Sequence, residues 1–228
     1  MMKRDIYNCK YINSNLTIMT EGITTSLEDF LFAFQYKINS AFLMAGPFDL
    51  DTRIYSEKEL EEKKLSRQGI IEMIQYIDRE NTSIYFFCWR NYICFIDIIS
   101  DKVFKIAFRA TEDVEEWLVK LIIDIPRLMY QLYKSYDPIF IRTEFQYLED
   151  NEFFEEELEN NMICGLDQMQ LFKKTYAAPD LLHEINYIKR ALKIEKNGTI
   201  FIMKPAYVFT GNLKELLKSI EYPLEVKI

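Results

Sequence analysis

The chain of 228 residues has one imidazole, His183, within Leu182-His183-Glu184-Ile185-Asn186-Tyr187. A histidine acting as general base needs a nucleophile to deprotonate and a third group to orient it. The adjacent residues supply neither, so the expected role is that of an exposed or half-buried helix residue. A zinc helix of the His-Glu-x-x-His type is excluded, because position 187 is Tyr. Carboxylates are the other abundant chemical group. Asp49/Asp51, Glu61/Glu62, Glu115/Glu116 and Glu155 to Glu157 form close pairs in sequence. Glycosidases and metal-dependent nucleases need such groups to converge in one pocket. Neighbours on a helix instead point about 100° apart and make a solvated face. Asp97 differs, because it interrupts an apolar strand; either it is buried and needs a cation, an Arg or Lys across the sheet, or it marks the strand's solvent side near its end.

Other chemistries find little support. The six glycines are isolated and none precedes Lys-Ser or Lys-Thr, so there is no phosphate loop. Thr210-Gly211-Asn212 reads as an ordinary helix start. The four cysteines, Cys9, Cys88, Cys94 and Cys164, have no metal-site spacing. Buried free thiols in a reducing compartment are expected. Cys88 and Cys94 face each other across a three-residue turn, or point to opposite faces with a two-residue turn. Tyr85 to Tyr92 is rich in aromatics but has only Arg90 as a base, which suits a core and not a base-stacking platform. No metal and no cofactor is expected.

Charge is the strongest signal. Between Arg142 and Lys173 there is no Lys, Arg or His. That gap holds nine acids: Glu144, Glu149, Asp150, Glu152, Glu155, Glu156, Glu157, Glu159 and Asp167. Taking these nine from the 36 acids leaves 27, against 28 bases in the whole chain. The net charge of −8 is therefore the work of one segment. Phe153 and Phe154 sit inside it, beside Tyr147 and Leu148. Aromatics ringed by charge suit a binding face, and the acids would steer a basic partner. The candidate partner-binding residues are Glu149, Asp150, Glu152, Phe153, Phe154, Glu155, Glu156, Glu157 and Glu159. The competing reading is a solvated amphipathic helix.

The elements that carry these residues follow from periodicity. A short hairpin is expected over 6–19, turning at Asn13-Ser14-Asn15. Ser26 caps a helix whose stripe runs from Leu27 to Phe42, ended by Gly46-Pro47. A second helix starts at Ser56 with Glu59 completing a capping box, and Ser66 or Gly69 bends or breaks it. Residues 83–109 read as a three-strand antiparallel meander, buried on both faces in its first two strands. Thr111 caps a long helix kinked or split at Pro126. A strand over Pro138 to Phe145, the acidic segment and one or two helical turns over Leu166 to Lys174 follow. Next come a helix from Asp180 to Arg190 and a hairpin with an Asn197-Gly198 turn. A short helix over Leu213 to Ile220 and a tail strand at Leu224 to Ile228 complete the reading.

These elements come in runs, so the fold class is α+β: an antiparallel sheet, with the meander at its centre, packed by several amphipathic helices. One domain over 1–228 is expected; two lobes would meet near 143–165. No apolar window reaches the roughly 18–20 residues of a membrane span, and no secretory leader is visible at Met1 to Tyr7. A cytoplasmic location is expected. Near-neutral charge outside the acidic gap argues against direct binding to nucleic acid or to anionic membrane.

In size, acidity, AT-rich composition and lack of catalytic motifs, the profile is similar to that of bacterial or phage immunity proteins that neutralise a toxin or defence effector. The expected function is that of an inhibitor whose acidic segment occludes a basic site on a protein. Two alternatives stand beside it: an enzyme with a dispersed carboxylate or metal site, and a structural or scaffolding subunit.

Overall fold

The computed structural model describes residues 14–23, 25–44, 56–79, 84–90, 92–109, 114–145, 162–163, 169–187 and 192–203. Among the described residues nine strands form one antiparallel sheet: β1 (Ser14–Met19), β2 (Ser40–Phe42), β3 (Ile84–Trp89), β4 (Tyr92–Ile98), β5 (Val103–Arg109), β6 (Phe140–Phe145), β7 (Met169–Lys173), β8 (Leu192–Lys196) and β9 (Thr199–Met203). Their order is β2-β3-β4-β5-β1-β6-β7-β9-β8. The helices are α1 (Leu27–Lys37), α2 (Glu57–Lys63), α3 (Arg67–Arg79), α4 (Val114–Tyr136) and α5 (Pro179–Tyr187). The fold is thus α+β, as expected. The sheet extends well beyond the meander, and strands from both sides of residues 143–165 belong to it, β6 pairing directly with β7.

Period-two alternation sorts each strand's residues between two faces. One face carries Leu16, Ile18, Phe87, Cys94, Ile96, Phe104, Ile106, Ile141 and Leu171, packed against Phe30, Leu31 and Phe34 of α1, Ile70 and Met73 of α3, and Ile125, Leu128 and Leu132 of α4. The other face has two smaller apolar clusters. At one end, Met19, Val103, Phe140, Phe172, Ile200 and Ile202 pack against Leu181 and Ile185 of α5. At the other, Ala41 and Cys88 pack against Leu60 of α2.

Local signals decided several boundaries. Ser26 accepts from Asp29 N at 3.2 Å and caps α1. The Ser56/Glu59 capping box at α2 is complete in both directions. The chain breaks at residues 64–66 before α3, where Ser66 Oγ accepts from Gly69 N at 3.1 Å. The meander has two-residue pairing about its first turn, with Trp89 opposite Tyr92. Asn197 (φ +53°) and Gly198 (φ +76°) form the turn of the last hairpin.

Three readings need correction, and at Pro126 the structure excludes one of the two expected alternatives. Ser14 and Asn15 lie in β1 and not in a turn, and β1 pairs with β5 and β6. The first helix ends at Lys37 and not at Gly46-Pro47, because Asn39 takes a left-handed conformation (φ +53°) and turns Ser40–Phe42 into β2. Residues 169–173 are strand and not helix; Met169 to Phe172 are all buried, and a strand covered on both faces shows no alternation to read. Residues 114–136 form one helix with Pro126 inside it, so the chain does not split there. The expected strand at Tyr7 to Ile12, the Thr111 cap, the helix at 213–220 and the tail strand at 224–228 lie outside the described residues.

Candidate functional site

Five polar residues line up across five adjacent strands, on the face away from α1, α3 and α4. Asp97 on β4 stands opposite Lys105 on β5. Lys105 stands opposite Thr17 on β1, Thr17 opposite Arg142 on β6, and Arg142 opposite Gln170 on β7. Rows directly in register bring Cβ atoms to about 5 Å, within reach of one another's side chains. The row runs between the cluster of Met19, Val103, Phe140 and Phe172 on one side and Ala107 and Phe95 on the other. Thr17 and Gln170 are fully buried, Arg142 is 3% exposed, and Asp97 and Lys105 are half-buried. The Arg142 guanidinium lies 5.1 Å from the Phe140 ring centroid.

A guanidinium removed from water costs several kcal/mol unless it is compensated. Each of the five residues is engaged by at least one partner. The row is a buried polar lane within an apolar face, in which Arg142 Nε and Nη2 and Gln170 Nε2 have no hydrogen-bond partner among the described residues. Asp97 stands opposite a lysine, as expected of a carboxylate on a covered strand. It does not face a second carboxylate, which acid–base or two-carboxylate metal chemistry would need. Asp49 and Asp51 lie outside the described residues. Among the described residues no group of three or more His, Cys, Asp or Glu could hold a metal ion.

The two described cysteines point to opposite faces, since Phe87 pairs with Cys94 and Cys88 with Ile93. Both are free and buried. Burial pushes the Cys88 thiol up to about 11 and holds Cys94 well above the usual thiol range. Neither forms thiolate at neutral pH, so neither is a nucleophile.

Asp124 of α4 ties the helix to the first turn of the meander. Its Oδ1 accepts from Arg90 Nη1 at 3.1 Å and from Arg127 Nη1 at 2.7 Å. Its Oδ2 accepts from the Tyr92 hydroxyl at 2.9 Å. Burial first, and then the Asp124 charge, hold the Tyr92 phenol far above its ordinary value. Trp89 Nε1 donates to Gln131 Oε1 at 3.3 Å about two turns further along the same face of α4. This carboxylate is saturated and serves as a clamp.

His183 is exposed on α5, as expected. It lines a groove of about 290 Å³ with Lys174, Leu182, Ile185, Asn186, Lys193, Glu195 and Ile200. Ile185 and Ile200 are buried at its floor. Lys174 Nζ meets Glu195 Oε1 at 2.9 Å on its rim. Among the described residues its lining includes no Ser, Thr, Tyr or Cys.

The partner-binding residues expected from charge, Glu149 to Glu159 with Phe153 and Phe154, lie outside the described residues. Their two flanks do not. β6 carries the chain out through Phe145, which stands opposite Ser14. The chain is next seen at Met162 and Ile163. Ile163 is 1% exposed, donates to Tyr176 O at 2.7 Å and accepts from Ala178 N at 2.9 Å. It packs in the cluster under α5. Both the polar lane and the groove were missed in the sequence. Asp97 alone signalled the lane; the groove has no linear signal, because its residues come from four separate segments. No family model, no curated protein and no solved structure matches this chain.

Proposed function

We propose that this protein is a stoichiometric inhibitor of the immunity type, which neutralises a toxin or defence effector by covering a basic site on it. The observation that carries the reading is the placement of charge. Nine acids and no base lie between Arg142 and Lys173, while the remainder of the chain is balanced. Like charges so concentrated repel one another, and a basic partner relieves that cost. Phe153 and Phe154 within the segment supply the apolar anchors that such interfaces use.

The flanks support the reading. The segment leaves from a strand paired on both sides and returns at a buried, twice hydrogen-bonded Ile163. Fixing both ends lowers the ordering cost of presenting the acids to a partner. The partner site would be one that otherwise holds nucleic acid or nucleotide, and the encounter would take place in the cytoplasm. No helix among the described residues is long and apolar enough to cross a membrane.

The test is reversal of Glu155, Glu156 and Glu157 to Lys together. The partner is first recovered by co-purification from the native host, and its affinity is measured across a salt titration. The wild type should weaken steadily with salt, and the triple variant should bind about a hundredfold more weakly or worse at low salt. Equal affinity of the two proteins at every salt concentration would remove the electrostatic basis of the proposal.

A further inference from the structure

Among the described residues β8 has one neighbour, β9, and so forms an edge of the sheet. Its hairpin has a two-residue turn, which makes Lys196 and Thr199 a mutually hydrogen-bonded pair. Ile194 and Leu192 therefore also direct their backbone groups to β9. Lys193 and Glu195 direct theirs outward. The far side of β9 agrees with this alternation, since Gly198 O accepts from Lys174 N at 2.7 Å. The side chains of these same two outward residues line the groove against α5. Among the described residues no strand pairs with the outward donors and acceptors of β8, which runs beside a helix with an apolar floor between them.

We propose that this groove takes an extended acidic peptide from a partner protein, which adds to the sheet beside β8. Backbone bonds to Lys193 and Glu195 would hold the peptide, as in strand addition at other sheet edges. Side chains on alternate peptide residues would enter the groove. A glutamate there rests its methylenes on Ile185 and Ile200 and brings its carboxylate to the rim. The rim carries the ammonium groups of Lys174 and Lys193 against one carboxylate, Glu195. Lys174 is already bonded to that carboxylate, and Lys193 has no ion pair among the described residues. A protein of net charge −8 thus offers a locally basic groove. None of its residues lies between 144 and 167, so the proposal is independent of the inhibitor reading.

The probe is a fluorescein-labelled peptide of alternating Val and Glu, six residues long, titrated with the full chain and followed by anisotropy. A Val-Lys peptide of equal length is the control. Saturable binding of the Glu peptide is expected, with the Lys peptide about tenfold weaker or more. Lys193→Glu should weaken the Glu peptide about tenfold. Glu195→Pro should also weaken it, compared with Glu195→Ala, because it removes an outward N–H and leaves the β8–β9 ladder whole. Should that variant not fold, a Glu peptide methylated at the backbone nitrogens facing β8 gives the same readout. In hydrogen exchange, the Lys193 and Glu195 amides should be fast in the free protein and slow with peptide. Equal binding of the two peptides, no loss on blocking either backbone, or slow exchange of both amides in the free protein would each overturn the proposal.

Discussion

Gln35 offers a sharp test of how the helical layer is held. Its side chain is fully buried on α1. Its Nε2 donates to Leu65 O at 2.7 Å, and its Oε1 accepts from Leu65 N at 3.0 Å. The amide thus satisfies both backbone groups of Leu65 in the break between α2 and α3. Gln35→Met keeps length and volume but removes both bonds. Each bond contributes about 1 kcal/mol net, and a half-buried group left unpaired costs up to about 1 kcal/mol more. The expected loss is about 2–4 kcal/mol, read as a lower urea midpoint at unchanged slope. At roughly 2–4 °C per kcal/mol for a chain of this size, melting should fall by about 4–16 °C. Gln35→Glu adds a sign. Its carboxylate can accept from Leu65 N but faces Leu65 O, and burial raises its folded pKa above the unfolded value. The folded state then binds more protons in that window, so stability falls as pH rises through it and recovers on acidification. A Gln35→Met protein within about 0.5 kcal/mol of wild type, or a Glu variant indifferent to pH, would refute this reasoning.

Asp124→Ala should cost about 2 kcal/mol in urea unfolding, mainly by leaving the buried Tyr92 hydroxyl without its acceptor, since its partners Arg90 and Arg127 are 42% and 35% exposed and contribute little. In the Tyr92→Phe background the same substitution should cost markedly less, and an equal cost would place the effect elsewhere. Alkaline stability should decline from about pH 9, the ordinary thiol value, toward about 11, the folded value of Cys88. In that window the unfolded thiol ionises and the folded one does not, so up to about 2–3 kcal/mol is lost as pH rises. Cys88→Ala should flatten this segment of the stability profile, and an unchanged slope would assign the loss to other groups.

Much of the fold was legible because its signals are local. The Ser56/Glu59 capping box, the Asn197-Gly198 turn and the alternation of Phe104, Ile106 and Phe108 each need only a few consecutive residues, and each stands where expected. β2 and β7 were illegible for the opposite reason. Ala41 and Phe42 continue a helical stripe as well as they begin a strand, and the left-handed turn at Asn39 decided between them. Met169 to Phe172 are buried on both faces, and β6 and β9 on either side settled their state. Of the candidate sites, the acidic segment could be read from charge alone. The polar lane could not, because Asp97, Lys105, Thr17, Arg142 and Gln170 are far apart in the chain and become neighbours only through strand order.

The sequence by itself determined an α+β class, a meander at residues 83–109 and one acidic segment between Arg142 and Lys173. Composition, capping and short-range periodicity are sufficient for these, since they depend on intrinsic preference and charge. Only the tertiary structure decided that β1 inserts between β5 and β6, that Cys88 and Cys94 diverge and that β8 borders a groove with α5. Those outcomes depend on which strands pair and in what register. A shift of one residue would exchange the two faces of a strand, and burial of Leu16, Ile18, Ile96, Phe104, Ile106 and Ile141 against the helices selects the register that keeps them on the covered face.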